Sequence, residues 1–173
     1  CIDDHTTENP FFMYVSYQAA HWPMHAPQDA IDKYKGKYDD GYQVLMKNRL
    51  KGLKEKGIIA PEINTPPYPD MQEWDKLTAA EKKYEARKME IYAGMVENVD
   101  FHIGRMIQYL KESGQYENTI IVVQSDNGAA AEDLSKVSWL KEYIMSWNDN
   151  SYENMNKANS FIALGSNWAQ ACS

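Results

Sequence analysis

The sequence predicts an α/β fold in which helices flank a sheet, and three segments carry this prediction. A strongly amphipathic helix extends from about residue 78 to residue 113. A short turn then leads into the β-branched run 119–124, which is typical of a strand buried on both faces. A second apolar run covers residues 10–17. The succession of long helix, short loop and buried strand favours layers of helix packed on sheet.

The first predicted strand leads directly into a loop. Residues 10–17 read P-F-F-M-Y-V-S-Y, an apolar and aromatic run that follows a proline. Residues 19–27 then read A-A-H-W-P-M-H-A-P, and the two prolines exclude a helix there. The charged region 28–69, with its glycines and prolines, is predicted as a long excursion within the same domain.

The helix at 78–113 has signals at both ends. Thr78 and Glu81 have the spacing of a capping box, in which each satisfies a free backbone N–H of the first turn. Gly114 suits the left-handed position that ends a helix. Apolar residues recur at helical spacing and form one stripe. They are Tyr92, Met95, Val96, Val99, Ile103, Met106 and Leu110. A last short strand is predicted at 160–164, closed by Gly165.

Length and composition limit the classes of function that this chain can have. A chain of 173 residues is predicted as one domain, 1–173, without an internal boundary. Its formal net charge of −7 argues against nucleic-acid binding, since phosphate backbones are bound by Lys and Arg. No apolar run approaches the roughly 20 residues of a membrane span. Cys1 and Cys172 lack zinc-site spacing, and nothing in the sequence decides whether they are paired.

The motif Ser125-Asp126-Asn127-Gly128 is the first candidate site because it directly follows the predicted buried strand. In open α/β sheets, ligands bind outside the carboxyl ends of the strands. Asp126 offers a carboxylate and Asn127 a carbonyl oxygen, and adjacent oxygen ligands suit a hard cation such as calcium. The alternative is a simple turn, which Asp, Asn and Gly all favour. The preceding strand shifts the interpretation toward a metal site.

His21 is the second candidate, and it also lies just beyond a predicted strand. An imidazole there can donate a hydrogen bond to an anionic oxygen or protonate a leaving group near neutral pH. The alternative is a histidine with structural hydrogen bonds alone. His25, two residues beyond Pro23, fits that structural role better than His21 does.

Four segments, in this order along the chain, resemble the sulfatase family. They are P-F-F-M-Y-V-S-Y with H-W-P-M-H-A-P, then M-E-I-Y-A-G-M-V-E-N-V-D-F-H-I-G-R, then N-T-I-I-V-V-Q-S-D-N-G, and finally A-N-S-F-I-A-L-G-S-N-W-A-Q-A. The resemblance covers nearly the whole chain. It implies an alkaline-phosphatase-like fold, a mixed sheet flanked by helices, of which this chain is the central part of a catalytic domain. Ala20 stands where the family usually has a proline before the histidine.

The resemblance also implies a chemistry. Calcium would be bound partly by Asp126 and Asn127, and His21 would contact the sulfate or act as leaving-group acid. The family's nucleophile is a formylglycine made from a cysteine or serine in a C-x-P-S-R-type motif. Neither Cys1 nor Cys172 fits that motif, so the nucleophile is expected outside this chain. The chain alone is therefore expected to be inactive.

The expected substrate is a small-molecule or carbohydrate sulfate ester, and the expected partner is the rest of the sulfatase chain. Family resemblance further implies the periplasm or secretion. Two other functions stay open. One is a phosphodiesterase or phosphonate hydrolase of the same superfamily, which would share the metal-binding strand. The other is a non-catalytic, sulfatase-like binding domain, which the missing nucleophile motif would suit.

Overall fold

A computed structural model of the chain describes residues 9–64, 68, 71–132, 134, 142–143 and 146–172. Within these ranges the regular structure is helical. The α-helices with described bounds are α1 (Gln28–Asp32), α2 (Gly41–Glu55), α3 (Ala79–Glu112) and α4 (Ser166–Cys172). Short 3₁₀ turns occupy Trp74–Lys76, Tyr116–Asn118 and Tyr152–Asn154. None of the described helices combines the length and apolar character needed to cross a bilayer.

The long helix α3 confirms the strongest local prediction. Thr78 Oγ1 accepts a hydrogen bond from the Glu81 backbone N–H at 3.3 Å, and the Thr78 N–H donates to Glu81 Oε2 at 2.8 Å. The capping box is therefore complete, and Gly114 has a φ of 72° just beyond the last turn. The predicted apolar stripe is only partly buried, since Met95 and Leu110 are buried whereas Val96 is exposed.

An aromatic cluster at the centre of the core joins α2, α4 and the turn between α2 and α3. Trp168 is fully buried, and its ring lies 4.5 Å from that of Tyr42 and 5.9 Å from that of Trp74. Such tilted aromatic pairs stabilise a core beyond the area they bury. The indole N–H of Trp168 donates to the Glu85 carbonyl at 2.9 Å, which ties α4 to α3. Gly41, with a φ of 82°, lies where a Cβ would overlap the Trp74 ring.

Helix α1 packs against α3 at a point of close approach. Ile31 of α1 is fully buried, and a Cβ added at Gly94 of α3 would stand only 2.9 Å from Ile31 Cγ1. Just beyond α1, Lys33 pairs with Glu97, and the Tyr34 hydroxyl donates to the same carboxylate at 2.8 Å. The glycine in α3 thus sets the distance between the two helices.

The predicted strands at 10–17 and 119–124 are not formed within the described residues, which contain no strand at all. The prediction that 119–124 is buried on both faces is wrong for this chain, since Ile120 is 93% exposed and Val122 is 76% exposed. Phe12, in the first segment, is also 93% exposed. A strand is stabilised by backbone pairing with a neighbour. No described residue pairs with the backbone of 120–124 in this way.

The third predicted strand, 160–164, is likewise not assigned as a strand, yet it lies in the core. Ser160, Ile162 and Leu164 are all buried. The Met24 N–H donates to the Ile162 carbonyl at 2.9 Å, and Met24 is itself buried. This bond fixes the loop that follows His21. Cys1 and the prolines at 66, 67 and 69 lie outside the described residues.

Candidate functional site

A cleft of about 790 Å³ contains all three predicted site residues. One wall is the loop 17–21, which carries His21. A second wall is the turn 125–130, which carries Asp126 and Asn127. The floor and remaining wall come from helices and the segments next to them. Those residues are Tyr34, Tyr38, Arg49, Met89, Tyr92, Ala93, Val96 and Cys172. Segments more than 100 positions apart in the sequence therefore meet at one cleft.

His21 is held by a contact that decides which ring nitrogen is available. Its Nδ1 lies 2.8 Å from the Trp22 carbonyl oxygen, which can only accept a hydrogen bond. Nδ1 therefore carries the proton, and Nε2 is the nitrogen left for the cleft. The ring also lies against Trp22, with centroids 4.7 Å apart. An exposed imidazole with one nitrogen anchored can accept a proton at Nε2 or, once protonated, donate it.

The loop beyond His21 is anchored to the core by contacts with residues 156–162. The Ala26 N–H donates to Asn156 Oδ1 at 2.9 Å. His25 Nε2 lies 3.0 Å from both the Lys157 carbonyl and Ser160 Oγ. His25 thus has the structural hydrogen bonds expected of it, and it does not line the cleft. The two histidines of the H-W-P-M-H motif have different surroundings.

The segment 125–128 forms a turn whose side chains bond its own backbone. Asp126 Oδ1 accepts from the Asn127 N–H at 3.0 Å, and the Asn127 side-chain amide donates to the Gly128 carbonyl at 2.8 Å. Ser125 Oγ donates to the Asn127 carbonyl. These bonds use the Asn127 amide nitrogen and leave its side-chain oxygen without a partner among the described residues. The turn and the metal-site interpretations are therefore compatible, because Asp126 Oδ2 and Asn127 Oδ1 are both exposed acceptors.

The donor set fits part of a calcium site. Calcium takes about 6–8 oxygen ligands, and Asp126 and Asn127 would supply two of the side-chain type it prefers. Within the described ranges no group of three or more His, Cys, Asp or Glu residues could hold a metal ion. Any complete site would thus need further oxygen ligands besides these two.

The helical wall contains groups that the sequence did not single out. Burial raises the pKa of Tyr38 to about 12 and also raises the pKa values of Tyr92 and Cys172. The positive charge of Arg49 acts in the opposite direction on all three. Arg49 comes from the lysine-rich helix α2, and this basic composition is the one sequence signal that could have drawn attention to it.

Comparison with known proteins gives the class of this chain. The family model described as Sulfatase matches residues 2–169. The chain belongs to the sulfatase family, which implies an alkaline-phosphatase-like α/β fold. The sheet of that fold is not present among the residues that the structure describes.

Individual relatives agree with the family. An uncharacterized sulfatase of Schizosaccharomyces pombe is 44% identical over 164 residues, which make up 93% of this chain and 30% of that protein. An arylsulfatase of Klebsiella aerogenes is 35% identical over 162 residues, 94% of this chain and 35% of that protein. A sulfatase of Formosa agariphila is 31% identical over 123 residues, 70% of this chain and 22% of that protein. The chain spans about a third or less of the length of these curated relatives.

Proposed function

We propose that this chain is the central part of the catalytic domain of a sulfuric ester hydrolase and contributes His21, Asp126 and Asn127 to its active site. The observation that carries the proposal is the meeting of the His21 loop and the 125–128 turn at one cleft. Family membership supports sulfate esters as the substrate class. The substrate would be a small-molecule or carbohydrate sulfate ester, acted on in the periplasm or after secretion.

Asp126 and Asn127 are the residues that would hold calcium. A bound calcium ion would supply fixed positive charge for the sulfate oxygens. The hydrogen bonds within 125–128 would orient the two ligand oxygens before any ion binds, because they fix the backbone between them. Gly128 follows directly and leaves the approach to Asn127 free of a side chain.

His21 would act through Nε2. With Nδ1 donating to the Trp22 carbonyl, the protonated ring has a single N–H left for a substrate oxygen. That N–H can bind a sulfate oxygen or protonate the leaving-group oxygen as its bond to sulfur breaks. Anchoring of the loop through Met24 and Ile162 holds the ring in place during this transfer.

The nucleophile is assigned to another part of the longer protein, where a formylglycine would be formed. Cys172 lines the cleft, but burial raises the pKa of its thiol and keeps it protonated near neutral pH. The reactive form of cysteine is the thiolate. Its sulfur lies 3.8 Å from Met89 Sδ, an apolar neighbour. Cys172 is therefore a packing residue of the cleft in this proposal.

The test compares His21→Gln with His25→Gln in the full-length protein, using 4-nitrophenyl sulfate as substrate. Loss of a general acid lowers kcat by about 100-fold or more. We expect that loss for His21→Gln and a change of less than about threefold for His25→Gln, whose bonds are structural. Equal effects of the two substitutions would contradict the role of His21.

Further measurements separate the alternatives. Chelation of divalent cations is expected to abolish turnover, and Asp126→Ala should raise the calcium concentration that restores it. Faster turnover of 4-nitrophenyl phosphate diesters than of the sulfate would favour a phosphodiesterase. Absence of turnover in the full-length protein would favour a binding domain. The 173-residue chain by itself is expected to show no turnover, and measurable activity would refute the assignment of the nucleophile elsewhere.

A further inference from the structure

Arg49 differs from the other basic residues near α3. Arg87 pairs with Glu90 at 2.9 Å and Lys88 pairs with Glu85 at 2.8 Å. Arg49, in contrast, is exposed, lines the cleft, and has no carboxylate within salt-bridge distance among the described residues. A guanidinium in a cleft without a carboxylate partner is available to an anion from outside.

The groups around Arg49 do not supply a counter-charge. Burial raises the pKa of Tyr38 to about 12, so this hydroxyl is neutral at physiological pH. Tyr92 and Cys172 have raised pKa values for the same reason. The guanidinium partly offsets the rise in these three pKa values, because its positive charge lies near the side chains that form this part of the cleft.

The rest of α2 extends this positive region. Lys47, Lys51 and Lys54 lie on the same helix as Arg49, and Glu55 is its one acidic residue. The chain as a whole carries a formal charge of −7. A local positive field on an acidic protein attracts anions to that face and raises their association rate.

We propose that Arg49 binds a second anionic group of the substrate, a carboxylate or a second sulfate, while the sulfate ester to be cleaved lies at His21, Asp126 and Asn127. This inference rests on the proposed function and narrows its substrate class to sulfate esters that carry another anion. The planar fork of N–H donors on arginine matches the paired oxygens of either group. Tyr38 and Tyr92 would contact the part of the substrate between its two charges.

The experiment uses the full-length protein and two series of substrates that differ in length. Two lengths are used because the substrate must span the distance from the sulfate ester at His21 to the second anion at Arg49. Phenyl sulfate and biphenyl-4-yl sulfate are each compared with forms that carry a carboxylate or a second sulfate at the far end. The quantity measured is the ratio of kcat/KM for the anion-bearing form to that for the plain form. The variants are Arg49→Gln, Arg49→Lys and Lys47→Gln. Lys47 is an exposed cation of α2 that does not line the cleft.

We expect Arg49→Gln to lower the ratio by about tenfold in at least one series, because a hydrogen bond between charged groups is lost. Arg49→Lys should give a ratio between those of wild type and Arg49→Gln, since the charge remains but the bidentate fork of N–H donors is gone. Lys47→Gln should leave it unchanged. Whichever anion shows the larger loss identifies the group recognised. The effect should appear in KM, as expected of a residue that binds substrate.

Two outcomes overturn this inference while leaving the proposed function intact. An unchanged ratio in Arg49→Gln for both series would show that Arg49 does not contact a second anion. Equal losses in Arg49→Gln and Lys47→Gln would show a general field effect without a binding site. Wild-type protein that hydrolyses none of the six sulfates would refute the proposed function itself, and this inference with it. A melting temperature unchanged by Arg49→Gln is the check that the variant is folded.

Discussion

Gly94 and Gly104 lie on the same helix in different surroundings, so they form a matched pair for testing how α1 packs against α3. A Cβ at Gly94 would stand 2.9 Å from Ile31 Cγ1 and 3.1 Å from the Ile31 backbone nitrogen. A Cβ at Gly104 would meet nothing within 4 Å among the described residues. Alanine is favoured over glycine in a helix by about 0.5–1 kcal/mol. Gly104→Ala is therefore expected to raise the free energy of unfolding by that amount.

Gly94→Ala has the same gain in helix propensity, but it also overfills a packed contact. Ile31 is fully buried, and its close backbone atoms cannot move without shifting α1. Overpacking of a core typically costs about 1–3 kcal/mol. Both variants gain the same helix propensity, so this gain cancels when their free energies of unfolding are compared. Gly94→Ala should therefore be less stable than Gly104→Ala by about 1–3 kcal/mol.

Urea-induced unfolding followed by far-UV circular dichroism measures this difference. The slope of the transition should be the same in both variants, because the surface exposed on unfolding is the same. Equal stabilisation by both substitutions would refute the close approach of Ile31 to Gly94. If the hydrogen bond between the Tyr34 hydroxyl and Glu97 is lost in Gly94→Ala but kept in Gly104→Ala, then α1 has moved relative to α3.

Three further predictions follow from local contacts. Thr78→Ala should lower the free energy of unfolding by about 1 kcal/mol, because the capping box is lost. Burial raises the pKa of Tyr38 from its usual 10.0 to about 12, so stability should fall as pH rises from 10 towards 12, and alkaline unfolding will show it. Cys172, whose pKa burial raises, should react with a maleimide more slowly than free cysteine at mildly alkaline pH. Arg49→Gln should slow that reaction further, because the guanidinium lowers the thiol pKa.

Each of these predictions has a control. Thr78→Ser keeps the capping oxygen and should retain most of the stability. Tyr38→Phe should remove the part of the alkaline destabilisation that comes from this phenol. A rate of maleimide reaction equal to that of free cysteine would contradict the burial of the Cys172 thiol.

The parts of the fold that could be predicted are those determined by neighbours in sequence. The capping box of α3 needs only Thr78 and Glu81, three residues apart, and Gly114 ends the same helix through its own backbone freedom. These features form whatever the rest of the chain does. The sequence therefore located α3 within a residue at each end.

The strands depend on partners far along the chain, and composition alone cannot supply them. Residues 119–124 have the β-branched character of a buried strand, yet Ile120 and Val122 are exposed. Burial of such a segment needs neighbouring strands and covering helices, which the described residues do not provide. In the predicted strand 160–164, Ser160, Ile162 and Leu164 are buried because Met24 and α4 lie next to them.

The candidate site likewise contains residues that the sequence could predict and residues that it could not. His21 and Asp126 follow predicted strands, and this position pointed to them together with the family resemblance. The structure adds that both line one cleft. Their roles in catalysis stay predictions. Arg49 of α2, and Tyr38 just before α2, could not be predicted as neighbours of the site, since their place in the cleft depends on how this part of the chain packs beside α4.

The exposed run 119–124 has a consequence for the chain when it is produced by itself. Thr119-Ile120-Ile121-Val122-Val123-Gln124 has high β-propensity, no charge and no proline, the composition of segments that stack into cross-β fibrils. No described residue pairs with the backbone of 120–124, and such a backbone presents a template to other copies. Glu117 and Asp126 flank it on either side, and charges at such positions act as gatekeepers against aggregation. Neutralising Asp126 would therefore weaken colloidal stability as well as the proposed metal site.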